Sequence, residues 1–338
     1  MTLFNLYRLC VSCAVLSTAF VIPAQAQVVE TVGTRAMGMG GAFVAVADDS
    51  TATWWNPGAL AAGPFLDMSL ARAVTDTTGE LPRDRERASW FALGTPPFGF
   101  SYYRLRITEV REMTSTVTES GSREDRRVGV ASLAASQLGI TLVHTVLPGI
   151  HAGATLKYVR ATVRGTPEDL GASAGDLLDR GESLEGGDSE GAFDADLGVM
   201  GVAGALRLGL LVRNVREPEF TSDAGAARMN RQVRIGAAYD GAAIDRRPLV
   251  IAFDADVRTT TDVTGDRRNV AIGGEHWWLN RRFAVRGGAR FNTVGAHGRA
   301  ATAGASVALR SGLFADGHVV RGGADDDRGW GVGLRVSF

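Results

Sequence analysis

Cysteine is almost missing from this 338-residue chain; the two present, Cys10 and Cys13, both lie near its start. Beyond them there is no disulfide framework, no thiolate chemistry and no cysteine-based metal site. Lysine is scarcer still, with Lys157 alone among 36 lysines and arginines. Against 37 acidic residues these leave a net charge of −1, which excludes nucleic-acid binding through bulk charge. The 5 histidines are scattered, and Glu275-His276 lacks the second histidine of a zinc motif, so no metal and no cofactor is expected. Aromatics are modest. What is abundant is glycine, at 43 residues. It follows no G-X-Y period, so the excess is not collagen-like; it suits closely approaching strands.

Residues 1–26 read as a secretory signal. Arg8 supplies the positive region, "VSCAVLSTAFVI" the apolar region, and Ala24-Gln25-Ala26 an A-x-A cleavage site. That apolar stretch is too short for a membrane-spanning helix. After Gly63 one pattern dominates, an alternation of apolar with small or polar residues over stretches of about ten. In "GAFDADLGVMG", Phe193, Ala195, Leu197 and Val199 share one face, with Asp194, Asp196 and Gly198 on the other. "GALRLGLLVRN" sets Leu206, Leu208 and Leu210 against Arg207 and Gly209, and "RPLVIAFDADVRT" sets Ile251 and Phe253 against Asp254 and Asp256. A period of two means strands with one greasy and one polar face.

A soluble sandwich alternates too, so other features must decide. Tight turns around "TPPFG", "TVLPGI", "MGVAGA", "WWLNRR" and "LRSGL" alternate with long polar stretches at 107–127, 164–190, 214–230 and 321–328. Short connections at one end and long ones at the other are the signature of an outer-membrane barrel. Reading 123–145 as one strand preserves the alternation and gives an even count of about fourteen. The expected fold is therefore all-β: a transmembrane outer-membrane β-barrel of about fourteen antiparallel strands over 64–338, preceded by a plug over 27–63. The loop at 164–190, rich in Gly, Ser and acids, is expected to be extracellular and mobile. The closing "RGWGVGLRVSF", with Trp330 and the terminal Phe338 on one face, resembles the insertion signal of bacterial outer-membrane proteins. That implies the barrel-assembly machinery, outer-membrane lipid and lipopolysaccharide as partners.

"GTRAMGMGGAFVAVADDSTATWWNPGALAAG", residues 33–63, invites a nucleotide-loop reading, but Phe43 stands where the third glycine of G-x-G-x-x-G belongs and no lysine follows. "GASAG" at 171–175 matches G-x-S-x-G, yet no strand precedes it as a nucleophile elbow requires. "ADDDRG" at 324–329 is a solvated charge run sooner than a calcium loop. No catalytic set remains, and the chain is not read as an enzyme.

The run "MGMGGAFVAVADD" to "WWNPGAL" resembles instead the N-terminal segment of the FadL-like outer-membrane superfamily, and more closely its PorV/PorQ-type branch. Asp48-Asp49 and Asn56-Pro57 fall in place, while the Ala-Gly after the proline is inverted as Gly58-Ala59. The resemblance implies a plug folded back inside the barrel, placing Gly38, Gly40, Gly41, Asp48, Asp49, Trp54, Trp55, Asn56 and Pro57 at a closure. The physics agrees: the glycines permit close backbone approach, and Asp49 or Ser50 caps a short helix over 50–55 that Pro57 ends. Trp54 and Trp55 are expected to be buried, each N–H needing an acceptor. Plain packing without gating explains the same residues.

On the polar faces, Asp194, Asp196, Asp254, Asp256 and Glu275 are expected to meet Arg207, Arg234, Arg286 and Arg290 across the lumen, with Lys157 among them. Such a ladder shapes a conduit or simply fills a narrow lumen with ion pairs. Trp90, Tyr102, Tyr158, Phe291 and Trp330 are read as an outward aromatic girdle. The resemblance leaves two functions open: transport of a hydrophobic compound such as a long-chain fatty acid, or a scaffold for a secreted protein. A water-filled porin is disfavoured by the plug.

Overall fold

A computed structural model describes residues 25–27, 31–77, 81–113, 127–169, 171–223, 225–243, 248–262, 265–295, 298–323 and 327–338. The expected signal, apart from Gln25 and Ala26, lies outside the described residues, as do 324–326 of the acidic run.

The alternating stretches form one closed antiparallel barrel in which each strand pairs with its neighbour in sequence and the last pairs with the first. Its strands are β1 (Asp67–Thr77), β2 (Arg83–Thr95), β3 (Phe98–Met113), β4 (Arg127–Leu147), β5 (Ile150–Asp169), β6 (Glu190–Ala203), β7 (Leu206–Arg213), β8 (Gln232–Asp240), β9 (Leu249–Asp256), β10 (Asn269–Trp278), β11 (Phe283–Asn292), β12 (Arg299–Arg310), β13 (Leu313–Gly322) and β14 (Asp327–Ser337). Of the stretch at 123–145, the described part, 127–145, lies in a single strand, β4. Closure is completed at the ends, where Phe338 N–H donates to the Leu66 carbonyl at 2.9 Å.

The period-two pattern resolves into an apolar outside and a polar inside. Phe193, Leu206, Leu208, Ile251, Phe253 and Val332 are exposed, while Asp194, Asp196, Asp254 and Glu275 are buried. An exposed apolar girdle around a closed barrel is what lipid contact requires. Tyr102, Tyr158, Phe291 and Trp330 lie on that outer face. Trp90 does not: it is only 2% exposed and packs inside, because its neighbours on the same face are Asp84, Glu86, Ala88 and Ala92.

Strand length departs from the expected ten on one side. β4 and β5 run for 21 and 20 residues, against 8 each for β7 and β9. At about 3.3 Å per residue the long pair reaches roughly 70 Å, far more than a 25 Å apolar band needs. Two presumed loops are correspondingly shorter. Much of 107–113 is strand, and 164–190 is not a structureless loop. Its first part continues β5, and a helix follows whose start is capped when Ser173 Oγ accepts from Asp176 N–H at 3.1 Å. Ser173 is thus a capping residue, not a nucleophile. Leu177 and Leu178 pack on Val110, Val128 and Val130, which face outward, so this helix lies on the outside of the tall wall. The stretch at 214–230 likewise holds a hairpin, Glu219–Ser222 with Gly225–Met229, whose Phe220, Ala227 and Met229 are buried with the core inside the barrel.

Candidate functional site

Residues 31–63 thread the barrel interior and are almost wholly buried. Two short helices, α1 (Thr34–Gly38) and α2 (Ala52–Trp55), and a 3-10 turn over Pro57–Ala62 shape the segment. The helix expected over 50–55 is shorter at its start, where Asp49 Oδ1 accepts from Thr51 N–H at 2.9 Å. Asn56 is extended before Pro57, as the proline ring demands, but the chain coils again after it as the 3-10 turn.

Three pairs of wall glycines make room for this segment. Gly153 faces Gly198 between β5 and β6, Gly209 faces Gly236 between β7 and β8, and Gly273 faces Gly288 between β10 and β11. A Cβ on Gly198 would stand 2.7 Å from Pro57, on Gly209 2.5 Å from the Val44 carbonyl oxygen, and on Gly288 2.3 Å from the Met39 carbonyl carbon. The plug backbone therefore lies directly on the wall backbone at three places. Gly40 answers from the plug side: at φ +71° its own Cβ would sit 2.8 Å from Ala289 N. Gly38 meets Gly304 in the same way.

Between these contacts the segment is tied by charge. Arg35 donates to both oxygens of Glu275 at 2.8 Å, to Asp48 at 2.5 Å and to Asp49 at 3.3 Å. Glu275 also accepts from Arg286 Nε at 2.6 Å, and Arg286 reaches Ser306. Ser306 bonds Asp316, which Arg335 contacts at 3.1 Å, and Arg335 reaches Asp67. On the other flank Asp48 takes Arg207, itself paired with Asp240. Burial pushes the Asp48 carboxyl up, but Arg35 and Arg207 outweigh it and hold it below the usual carboxylate range. Burial lowers Arg35, yet Asp48 and Glu275 raise it well above its ordinary value.

The remaining expected residues find other partners. Asp254 accepts the Phe43 and Val44 N–H groups at 2.8 Å each, so it holds plug backbone, with the charge of Arg234 close by. Asp194 and Asp196 pair with Lys157 Nζ at 3.2 and 2.6 Å. Lys157 also donates to Asn214, and Asp194 takes Arg216 N–H, which anchors the base of the inner hairpin. Arg234 pairs with Asp256 at 2.7 Å and lies over the Trp55 ring, while Arg290 pairs with Asp327. Asn56 donates to the Val44 and Val199 carbonyls at 2.8 and 2.9 Å, stitching plug to β6. Trp55 donates to the Val32 carbonyl at 3.0 Å. Trp54 finds no acceptor among the described residues; Arg213 stacks on its ring at 4.3 Å and donates to its carbonyl. Gly41 faces Trp55. Trp330 and Phe338 are exposed on the outer face and at the barrel end.

Sequence reasoning missed Arg35, Arg213 and the paired glycines. Arg35 was legible as the lone charge in a glycine-rich stretch. Gly198 and Gly209 stood on the polar faces, but their pairing needs the strand register.

The fold matches solved barrels at low sequence identity. The monoaromatic hydrocarbon channel CymD is 14% identical with a TM-score of 0.62, covering 91% of this chain and 98% of its own. The Pseudomonas putida toluene transporter TodX is 13% identical at 0.60, covering 91% and 99%. A Pseudomonas aeruginosa FadL homologue is 11% identical at 0.59, covering 92% and 98%. No curated protein matches the chain. These likenesses show the fold alone, a closed fourteen-stranded antiparallel barrel like those of FadL-type channels. In sequence, the match runs over residues 15–256 and gives the family: the chain belongs to the one described as the F plasmid transfer operon TraF protein.

Proposed function

We propose that this barrel lies in the outer membrane of a Gram-negative-type cell and passes small hydrophobic compounds, with residues 31–63 holding it closed. One observation carries the reading. The inner face of β2–β5, though it also carries Asp84, Glu86, Glu109 and Lys157, holds an apolar cluster of Trp90, Tyr103, Leu105, Ile107, Leu133 and Val159, and Phe220 and Met229 of the inner hairpin belong to the same buried cluster. A greasy compound entering from the long-connection end would replace those two side chains at little cost, since one apolar contact is exchanged for another. The architecture shared with a toluene transporter and a monoaromatic hydrocarbon channel supports the same class of cargo. The plug supplies closure, held to the wall by hydrogen bonds and ion pairs as well as by the apolar cluster it shares with the wall.

The test is uptake of radiolabelled toluene by vesicles carrying the purified protein. Phe220→Ala with Met229→Ala should raise the rate, and Leu133→Arg should abolish it while the barrel still folds. Rates equal to protein-free vesicles in all three would sink the proposal.

A second reading, a surface scaffold that holds a secreted protein, is favoured by the tall wall of β3–β5 and its external helix. It predicts no uptake but specific recovery of one secreted protein on immobilised barrel, lost when residues 171–188 are deleted. The PorV-like branch of the sequence resemblance belongs with this reading.

A further inference from the structure

The outer face of β1–β5 carries a charge pattern that the lumen does not use. In register, Arg72 faces Ser89, Ser89 faces Arg104, Arg104 faces Ser136 and Ser136 faces Arg160. One outward row thus alternates arginine and serine across five adjacent strands. The next outward row toward the tight turns reads Leu70, Phe91, Tyr102, Leu138 and Tyr158. The wall passes from apolar to basic in a single step, and that step is where a lipid acyl region would give way to headgroups.

At a strand spacing of about 4.8 Å, successive arginines of the row stand roughly 10 Å apart. Only serines lie between them, so the floor is open. The opening is a cavity of about 520 Å³, walled further by Arg87, Arg106 and Arg164 and free of carboxylates. The external helix α3 (Ala174–Ser183) and its flank form one rim: Arg106 donates to the Glu182 carbonyl and Arg164 to the Gly186 carbonyl, each at 2.6 Å. The carboxylates of that helix are already engaged, Asp176 with the Ser173 hydroxyl, Asp179 with Arg85 and Glu182 with Arg87. Among the described residues, Arg72, Arg104 and Arg160 have no carboxylate partner.

Walls that donate from guanidinium and hydroxyl groups and present no carboxylate fit an anion with several acceptor oxygens, and phosphate above all. Arginines about 10 Å apart suit more than one phosphate on a single headgroup. The apolar row directly below offers a bed for attached acyl chains. We propose that this cavity binds the headgroup of a multiply phosphorylated, acylated saccharide lipid of the lipid A type. The proposal rests on the barrel spanning the outer membrane with its long connections outside; it is independent of what crosses the lumen.

Native mass spectrometry of the detergent-purified full chain tests it with three probes: bisphosphorylated lipid A, the same lipid dephosphorylated, and inorganic phosphate. The wild-type protein should bind the phosphorylated lipid at least about tenfold more tightly than the dephosphorylated one. Arg104→Ser with Arg160→Ser should erase that preference, and the corresponding Lys pair should keep part of it, since charge survives without the bidentate fork. Equal binding of the two lipids by the wild type overturns the proposal without recourse to any variant. A preference unchanged in the Ser pair overturns this cavity as its seat. Displacement of the lipid by micromolar inorganic phosphate overturns the lipid in favour of a free-phosphate site. Heat-modifiable gel mobility after insertion into vesicles reports separately on the membrane reading: a chain that inserts yet shows no preference fails here alone.

Discussion

The two sides of the barrel hold the plug differently. From Gly153 of β5 round to β12 the inner wall presents glycine and charge, and the plug backbone lies directly on it at the paired glycines. From β2 to β5 the inner wall presents Trp90, Tyr103, Leu105, Ile107 and Leu133, and what faces it is side chain: Trp54 against Tyr103 at 4.9 Å between ring centres, and the inner hairpin above. The first contact is geometrically exacting, because backbone cannot repack. The second is apolar and adaptable. If a path opens, it opens along the tall side, while the glycine side serves as the anchor.

The largest effect tests that anchor. Arg35→Ala removes the cation that Glu275, Asp48 and Asp49 share, leaving Glu275 to Arg286 and Asp48 to Arg207, and should cost plug docking about 3–5 kcal/mol. With Cys10 and Cys13 replaced by serine, a reporter Ser50→Cys should become reactive to maleimide while the barrel keeps its heat-modifiable mobility. Unchanged protection would show that the ion network is incidental. Leu133→Ala, on the opposite side, should cost about 2–5 kcal/mol of overall stability through the space it leaves, yet leave the Ser50→Cys reporter protected. Exposure there would erase the distinction between the two sides.

Gly288→Val drives a side chain into the Met39 carbonyl and should weaken docking by about 1–3 kcal/mol, read by the same reporter. Asn56→Ala removes two hydrogen bonds to buried carbonyls, and a loss of about 1–3 kcal/mol is expected. The smallest effect is in pH. Because the docked Asp48 carboxyl lies below its ordinary value, near 3.9, the docked plug binds fewer protons than the released one. Its contribution is therefore complete above that ordinary value and is lost as pH falls through the docked one. Asp48 thus adds no change in reporter accessibility from neutral pH to about 5, and its protonation exposes the reporter only in stronger acid, read with dithiodipyridine, which still reacts with thiols there.

Much of this was readable beforehand. The alternation fixes which residues face outward, since Phe193 and Leu197 cannot sit beside Asp194 and Asp196 on one face of a strand. The Gly33–Gly63 stretch announced itself as packing, because its glycines and its Asn-Pro turn lacked every companion a nucleotide loop needs. Partners were less legible. Arginine is nearly all the positive charge there is, which points Asp194 and Asp196 to arginines, yet they meet the single lysine, placed opposite by the register of β5 with β6. Trp90 was assigned outward as an aromatic near a presumed interface, although parity with Asp84 and Glu86 already set it inside. The helix at 174–183 was hidden because only Leu177 and Leu178 mark its apolar face, and the wall that covers them is distant in sequence.

The sequence by itself determined the barrel, its sidedness and the presence of an inserted segment, because these follow from local period, turn chemistry and the cost of burying charge in lipid. Only the tertiary structure decided who touches whom. The paired glycines, the Arg35 network and the arginine–serine row are each made of residues from different strands, and they become sites only when register and closure set them side by side.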